Sequence, residues 1–482
     1  MDFYVSDFFK TELWYYILLL TSISLTIYVG TEIFSSLAVP LFLLPLSFSI
    51  CLVLFKRIIP YHKNGYGLKV LYFIIVTRYL ILPTLTCLTK SYSSFTIYTN
   101  EAYYYGVIIQ VIELITTCVV IYIYFPKTYA SCSIKHLKKG GSYYYDELSL
   151  GGIIVVLFSV FLIYTRGIDT LLSSMRFFIV SSGLEEGSLY GYDIWLAHTL
   201  LAFLMIVITG TFQRKEGGKK QAINIIIPLV VAFFSCSLSF GDNRMTIVYY
   251  AISAYAILMI AFPRRKYVIH GTIIPTAIIV LASFTMIKQF SYDVTAGGDT
   301  GLEEDDIVTT MSAYVSTTQN IAKAYDMYSV HGDNMTVNHI VSDVVNGIVI
   351  FQLPVFQKMT SSLRKHPTSI SLASTGTEVV PMAGQALFYG GFFWGGVIDI
   401  LFFVVLIRLL ILTDCRSKLD RRLGNKYLLT WISVTFGMIM TYNMSIIWNS
   451  LNATPLFTLG ALWVNRAIGL HKNKMLSSCI SG

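Results

Sequence analysis

"LWYYILLLTSISLTIYVG", Leu13–Gly30, holds no charged side chain. About 18 such residues in a helix cross the hydrocarbon core of a bilayer, so the stretch reads as a transmembrane segment. It lacks a basic n-region and an Ala-x-Ala cleavage site, and it is expected to be a retained helix rather than a signal peptide. Similar apolar runs recur to the far end of the chain. The sequence predicts about twelve spans, near 13–30, 33–55, 68–88, 103–125, 150–164, 193–212, 222–239, 246–262, 272–287, 390–412, 427–448 and 455–468. Pro40 and Pro83 fall inside spans and are expected to kink them.

Composition points the same way. Hydrophobic residues make up 55% of the chain and charged residues 13%, with a mean hydropathy of +0.64. A soluble domain carries about 25% charged residues, so a single soluble core is excluded. The fold expected is an all-α polytopic membrane protein. The net charge of +8 does not call for a nucleic acid, because the basic residues collect in alternate loops. Lys56 and Arg57, Lys135 and Lys138, Arg214 and Lys215, Arg264 and Arg265, and Arg416 and Arg421 mark one side. The positive-inside rule makes that side cytoplasmic, with both termini there.

Three parts follow. Residues 1–287 form a nine-helix transmembrane region with short loops. Residues 288–381 form a large external loop, and 382–482 a three-helix C-terminal transmembrane region. Loops of this length are usually functional or folded. Its first helix, within 301–329, opens on acids suited to a helix N-terminus. Its second places Val337, Ile340, Val341, Val344, Val345 and Ile348 on one face, and lies on or dips into the membrane surface. A basic and acidic strap, 363–381, leads back to the bilayer.

Cations are disfavoured at the outer ends of spans, yet Arg166, Arg176, Arg244, Arg364, Lys365 and His366 are expected there. Arginine forks match phosphate oxygens, which suggests a phosphate or pyrophosphate site. The alternative is pairing with acids of the same loop. For "GDNRM", Gly241–Met245, turn chemistry accounts for Gly241 and Asn243 but poorly for Arg244. Glu378 is the one acid of the strap and a candidate general base, with His366 as the competing base. The alternative for Glu378 is a simple salt bridge. Within the membrane, Arg78 and Glu113 lie near mid-depth of adjacent antiparallel spans and are read as a buried pair, with a substrate-facing Arg78 as the second reading. Arg408 is expected to snorkel to its interface. The seven cysteines show no disulfide framework and no metal-ligand spacing. There is no GxxxxGK[ST] and no HExxH, so neither metal nor cofactor is expected.

In layout the chain resembles the bacterial oligosaccharide repeat-unit polymerases, the O-antigen or capsule polymerases of the Wzy type. "GDNRM" is similar to that family's short Arg-bearing turn, and "TGTEVVPMAGQALFYGGFFWGG", Thr375–Gly396, to its return into the bilayer. The Arg-x10-Gly spacing of some members is met by Arg176 and Gly187; in the large loop Lys365 and Gly376 fit it, and Arg364 is one residue off. The resemblance implies a GT-C-like polymerase/ligase architecture in a bacterial cytoplasmic membrane. It implies a metal-independent glycosyltransferase that joins undecaprenyl-pyrophosphate-linked donor and acceptor glycans at the outer face and releases undecaprenyl pyrophosphate. Membrane lipid, a chain-length regulator and a flippase would be its partners. In that scheme Arg176, Arg364, Arg166, Arg244 and Lys365 hold pyrophosphate, and Glu378 or His366 takes the acceptor proton. An O-antigen ligase shares the layout. A lipid-linked oligosaccharide flippase is the rival of a different class, but the chain lacks the internal repeat expected of one.

Overall fold

The computed structural model describes residues 2–33, 39–55, 65–89, 99–138, 143–166, 191–213, 221–237, 246–295, 311, 315, 318–331, 337–352, 354–364 and 380–480. Among them no β-strand forms; one isolated bridge joins Tyr144 to Arg422. Among the described residues five helical stretches are long and apolar enough to cross a bilayer: Leu13–Glu32, Tyr66–Thr89, Glu101–Ala130, Leu196–Gln213 and Met382–Leu419. A bent pair, Ile247–Ala261 and Pro263–Leu281, meets at 115° and makes a sixth if counted as one span. The sequence expects a basic loop between two spans at that bend. Three shorter apolar helices, Pro40–Leu54, Leu150–Thr165 and Asn224–Cys236, lie where the sequence expects further spans.

The chain is an all-α membrane protein, and its surface chemistry agrees. On the helix Met382–Leu419, Phe393, Val397, Leu401 and Val405 form an exposed stripe, while Phe403, Ile407 and Leu410 are buried on the other side. Hydrocarbon is the solvent that suits such a stripe.

The chain divides into two compact units. The first comprises Met1–Lys135, Leu302–Cys415 and Ser433–Asn449. It begins with α1 (Asp2–Ile33) and, after a 3-10 turn (Val39–Phe42), α2 (Leu43–Leu54). Pro40 sits in that turn, so the second apolar run is a turn plus a short helix rather than one kinked helix. Next come α3 (Tyr66–Val76), a π-helical turn (Thr77–Ile81) and α4 (Leu82–Thr89). The Leu82 N–H reaches back to the Thr77 carbonyl. Pro83 has no N–H to offer one turn back, and a widened turn is one of the adjustments by which membrane helices absorb proline. α5 (Asn100–Lys138) completes this group.

The second unit comprises His136–Gly301, Arg416–Ile432 and Ser450–Gly482. It holds α6 (Leu150–Arg166), α7 (Gly191–Gln213), α8 (Gln221–Ser237), α9 (Thr246–Ala261) and α10 (Lys266–Thr295). Two of its buried polar groups, Asp146 and Tyr250, are firmly paired. Asp146 accepts from Arg466 Nε at 2.7 Å and from the Gly424 N–H at 2.9 Å. Tyr250 donates to the His198 carbonyl at 2.7 Å and meets the Trp431 ring edge-on.

The loop helices α11 (Thr318–His331), α12 (Val337–Gly347) and a short α13 (Pro354–Thr360) belong to the first unit, as does α14 (Met382–Leu419) up to Cys415. α15 (Leu423–Gly437) lies in the second unit to Ile432 and in the first from Ser433, and α16 (Met444–Asn452) lies in the first up to Asn449. A last helix, α17 (Thr454–Ile480), lies in the second unit. α14 starts earlier than the apolar run at 390–412 suggests, because Met382–Phe388 is already helical and buried. It kinks at Gly391, whose φ of 64° is left-handed. A side chain there would also meet the Tyr328 ring. Cys415 is disulfide-bonded.

Candidate functional site: buried polar centres of the first unit

The first loop helix is not laid over the bundle but inserted into it. Thr318, Gln319, Asn320, Ile321, Ala322, Lys323 and Ala324 of α11 are all buried. Two glycines permit the approach. A Cβ on Gly106 of α5 would come within 3.0 Å of the Thr318 carbonyl, and one on Gly384 of α14 within 3.2 Å of the Ala324 Cβ. Small residues let membrane helices close to this range. Ile109, Ile321, Ala383 and Leu387 then pack as one core, and Tyr105 lies against Tyr325 and Phe392 at 4.8 and 4.5 Å. At the other end of α11, Asp326 accepts from the Thr99 N–H at 2.7 Å and the Thr99 hydroxyl at 2.9 Å.

This insertion builds a polar centre around Arg78. Its Nη1 meets Glu113 Oε2 at 3.0 Å, with both side chains buried. Tyr79 donates to the Gln110 carbonyl at 2.5 Å and to Glu113 Oε2 at 3.3 Å. With the Gln110 amide turned to satisfy its surroundings, its oxygen accepts from Arg78 Nη2 at 3.0 Å and from the Thr318 N–H at 3.3 Å. Its nitrogen then donates to the Thr318 hydroxyl at 2.8 Å. So the N-terminus of α11 is tied through Gln110 to Arg78. A pocket of about 20 Å³ opens beside Arg78, Gln110, Thr318 and Gln319, enough for one ordered water.

Asp399, on α14, belongs to the same centre and is absent from the sequence reading. It is 1% exposed and within electrostatic reach of both Glu113 and Arg78. Neither of its carboxylate oxygens has a hydrogen-bond partner. Glu113 Oε1, Arg78 Nε and the Thr117 hydroxyl are likewise unpaired. The signal that finds Asp399 is helical spacing: it continues the buried stripe of Phe403, Ile407 and Leu410.

A second polar centre lies where α12 meets α14. Asp343 Oδ2 accepts from Gln385 Nε2 at 2.9 Å and from the Tyr389 hydroxyl in a short hydrogen bond. Gln385 in turn accepts from the Met444 N–H at 2.8 Å, and Ser445 donates to the Asp343 carbonyl at 2.9 Å. Two side chains of α14 thus hold the carboxylate, while α16 holds Gln385 and the Asp343 backbone carbonyl. On α12 Ser342 and Asp343 are buried together with Val345, whereas Ile340, Val341, Val344 and Ile348 of the expected apolar face are only partly buried. Asp343 too escaped the sequence reading, which followed only the apolar face.

Of the expected anion-site residues, Arg176, Arg244, Lys365, His366 and Glu378 lie outside the described residues. Arg166 ends α6 in the second unit, and Arg364 ends a 3-10 turn (Ser361–Arg364) in the first. Arg408 is exposed and stands over the Tyr124 ring at 5.0 Å. No protein-family model, curated protein or solved structure matches this chain.

Proposed function

We propose that this protein is a membrane-embedded glycan polymerase. It would join lipid-pyrophosphate-linked oligosaccharide units at the outer face of a bacterial cytoplasmic membrane and release the lipid pyrophosphate. About twelve spans, a GT-C-like arrangement and cytoplasmic termini are parts of the same proposal. The observation that carries it is the seating of α11 and α12. A polymerase of lipid-borne chains needs a folded loop fixed to the bundle, and it needs a route by which isoprenoid tails enter from the side. α12 meets both needs, with Asp343 locked by Gln385 and Tyr389 and partly exposed aliphatic residues at Ile340, Val341, Val344 and Ile348. An amphipathic helix of that kind lies in the interface plane of a bilayer.

In this reading Arg176, Arg364, Arg166, Arg244 and Lys365 neutralise charge developing on the leaving pyrophosphate. Glu378 or His366 takes the proton of the acceptor hydroxyl, and Asp343 joins them as a third carboxylate or imidazole on the loop side. The test is chain length. Asp343→Asn keeps the shape and the acceptor oxygen, so protein level should stay near normal while surface polysaccharide shortens toward single repeats. Unchanged long chains in cells lacking the whole gene would overturn the function. Repeats that never reach the surface would replace it with a flippase.

A further inference from the structure

The charges around Arg78 do not balance. One guanidinium, Arg78, faces two carboxylates, Glu113 and Asp399, and all three are buried in the first unit. Arg78 spends its Nη1 on Glu113 and its Nη2 on Gln110, and points no donor at Asp399. Asp399 therefore has two oxygens with no donor of any kind. A bare carboxylate in that position would have lost its water without gaining a partner, which is the most expensive state open to it.

Other ionisable groups face this centre from each surrounding helix. Tyr79 comes from the π-helical turn and Cys118 from α5; Cys118 in turn interacts with Cys51 of α2. From α11 come Thr318 and Gln319, which line the pocket beside Arg78 and carry no charge. Lys323, buried on the same helix, is not among the charges that act on Asp399, which are Glu113 and Arg78. Among the described residues none of these supplies the missing positive charge to Asp399.

We infer that Asp399 is an intramembrane proton-binding site, holding one proton while α14 is packed against α5 and the Arg78 turn. The proton makes the centre neutral overall: Arg78 and Glu113 cancel, and Asp399 is a carboxylic acid. Its release requires water or a cation to reach the carboxylate, which requires α14 to move. The kink at Gly391, between Met382 and Asp399 on the same helix, is the place where that helix can bend. Proton occupancy of Asp399 and the packing of α14 are thus linked, each favouring the other. A metal ion is a poorer occupant, since among the described residues no three His, Cys, Asp or Glu side chains gather as ligands.

Infrared difference spectroscopy of the purified whole protein in lipid nanodiscs tests this. Wild-type protein with carbon-13-labelled aspartate should show an isotope-shifted carboxylic-acid carbonyl band at neutral pH that moves again in heavy water. Asp399→Asn should lose that band and keep its thermal midpoint, while a midpoint that falls in wild type at alkaline pH should no longer do so. The absence of any protonated-aspartate band in wild type at neutral pH would overturn the inference, whether or not the variant folds. So would loss of the band on adding sodium at constant pH, which would make the site a sodium site. Neither readout depends on glycan transfer, so failure of the proposed function leaves this test intact.

Discussion

Two aspartates on one helix, Asp399 and Asp414 of α14, are each 1% exposed and differ in every other respect. Asp414 is saturated. It accepts from the Gly67 N–H at 3.1 Å, the Leu68 N–H at 3.0 Å and the Ser433 hydroxyl in a short hydrogen bond. It thereby caps α3 from a distant part of the chain, satisfying donors that a helix start leaves open. Gly65, ahead of that start, leaves the room: a Cβ there would collide with the Asp414 carboxyl. Asp399 has no donor at all. Equal burial therefore says nothing about role. A carboxylate whose bonds are complete holds helices together. One whose bonds are missing is either an error of packing or a site waiting for a charge, and the nearby Arg78–Glu113 pair makes the second account the physical one.

The largest effect that separates these two regions is expected at Arg78. Arg78→Ala would leave Glu113 buried without its partner, beside a second acid. Breaking such a pair costs about 3–5 kcal/mol, read as a lower thermal midpoint and lower protein level. Arg78→Met with Glu113→Met should recover much of the loss, because an apolar pair of similar volume leaves no charge behind. Normal protein level in Arg78→Ala with lost activity would move Arg78 from structure into the reaction site.

The next effect belongs to Asp414. Asp414→Ala strands two backbone N–H groups and a hydroxyl, at about 1–3 kcal/mol for an unsatisfied buried group. Asp399→Asn strands none, since no group donates to Asp399 now. Thermal midpoints of the two variants in the same detergent should differ accordingly. Equal losses would remove the distinction between a capping and a proton-holding aspartate.

Much of this was readable in the residues. The Arg78–Glu113 contact follows from a simple rule: a charge in an apolar span needs a partner, and adjacent antiparallel spans supply one at matching depth. The same rule, applied to the run from Phe392 to Ile407, points to Asp399, which continues the buried stripe of Phe403 and Ile407. The proline positions forecast distortion but not its form, because a 3-10 turn at Pro40 and a π-helical turn ahead of Pro83 answer the same missing N–H in different ways. The insertion of α11 was not readable. Its composition is that of a solvated loop, and only tertiary partners, Gln110 above all, make its polar N-terminus affordable inside the bundle. Asp343 was hidden for a related reason. Apolar periodicity marks the core face of a soluble helix, and on α12 most of that face is only partly buried while Ser342 and Asp343 lie inside.

The smallest expected effect lies at the mouth of the α11 insertion and sharpens the contrast with Asp399. Desolvation raises the Asp326 carboxyl above the usual carboxylate range; the two Thr99 hydrogen bonds pull it down, and the Glu101 charge adds to the rise. A raised value means that the folded state binds this proton more tightly than the unfolded chain does. Stability from this group is thus greatest on the acid side, below the ordinary carboxylate value, and declines as pH rises through the elevated folded value. Because Asp326 is only partly buried and screened by solvent, the increment should be well under about 1 kcal/mol. Thermal midpoints from mildly acidic to neutral pH should show a shallow fall in wild type. Asp326→Asn should flatten that fall and leave any alkaline transition of Asp399 untouched. A slope of the opposite sign would mean that the Thr99 donors outweigh desolvation, and that the α11 end is held by an ionised carboxylate after all.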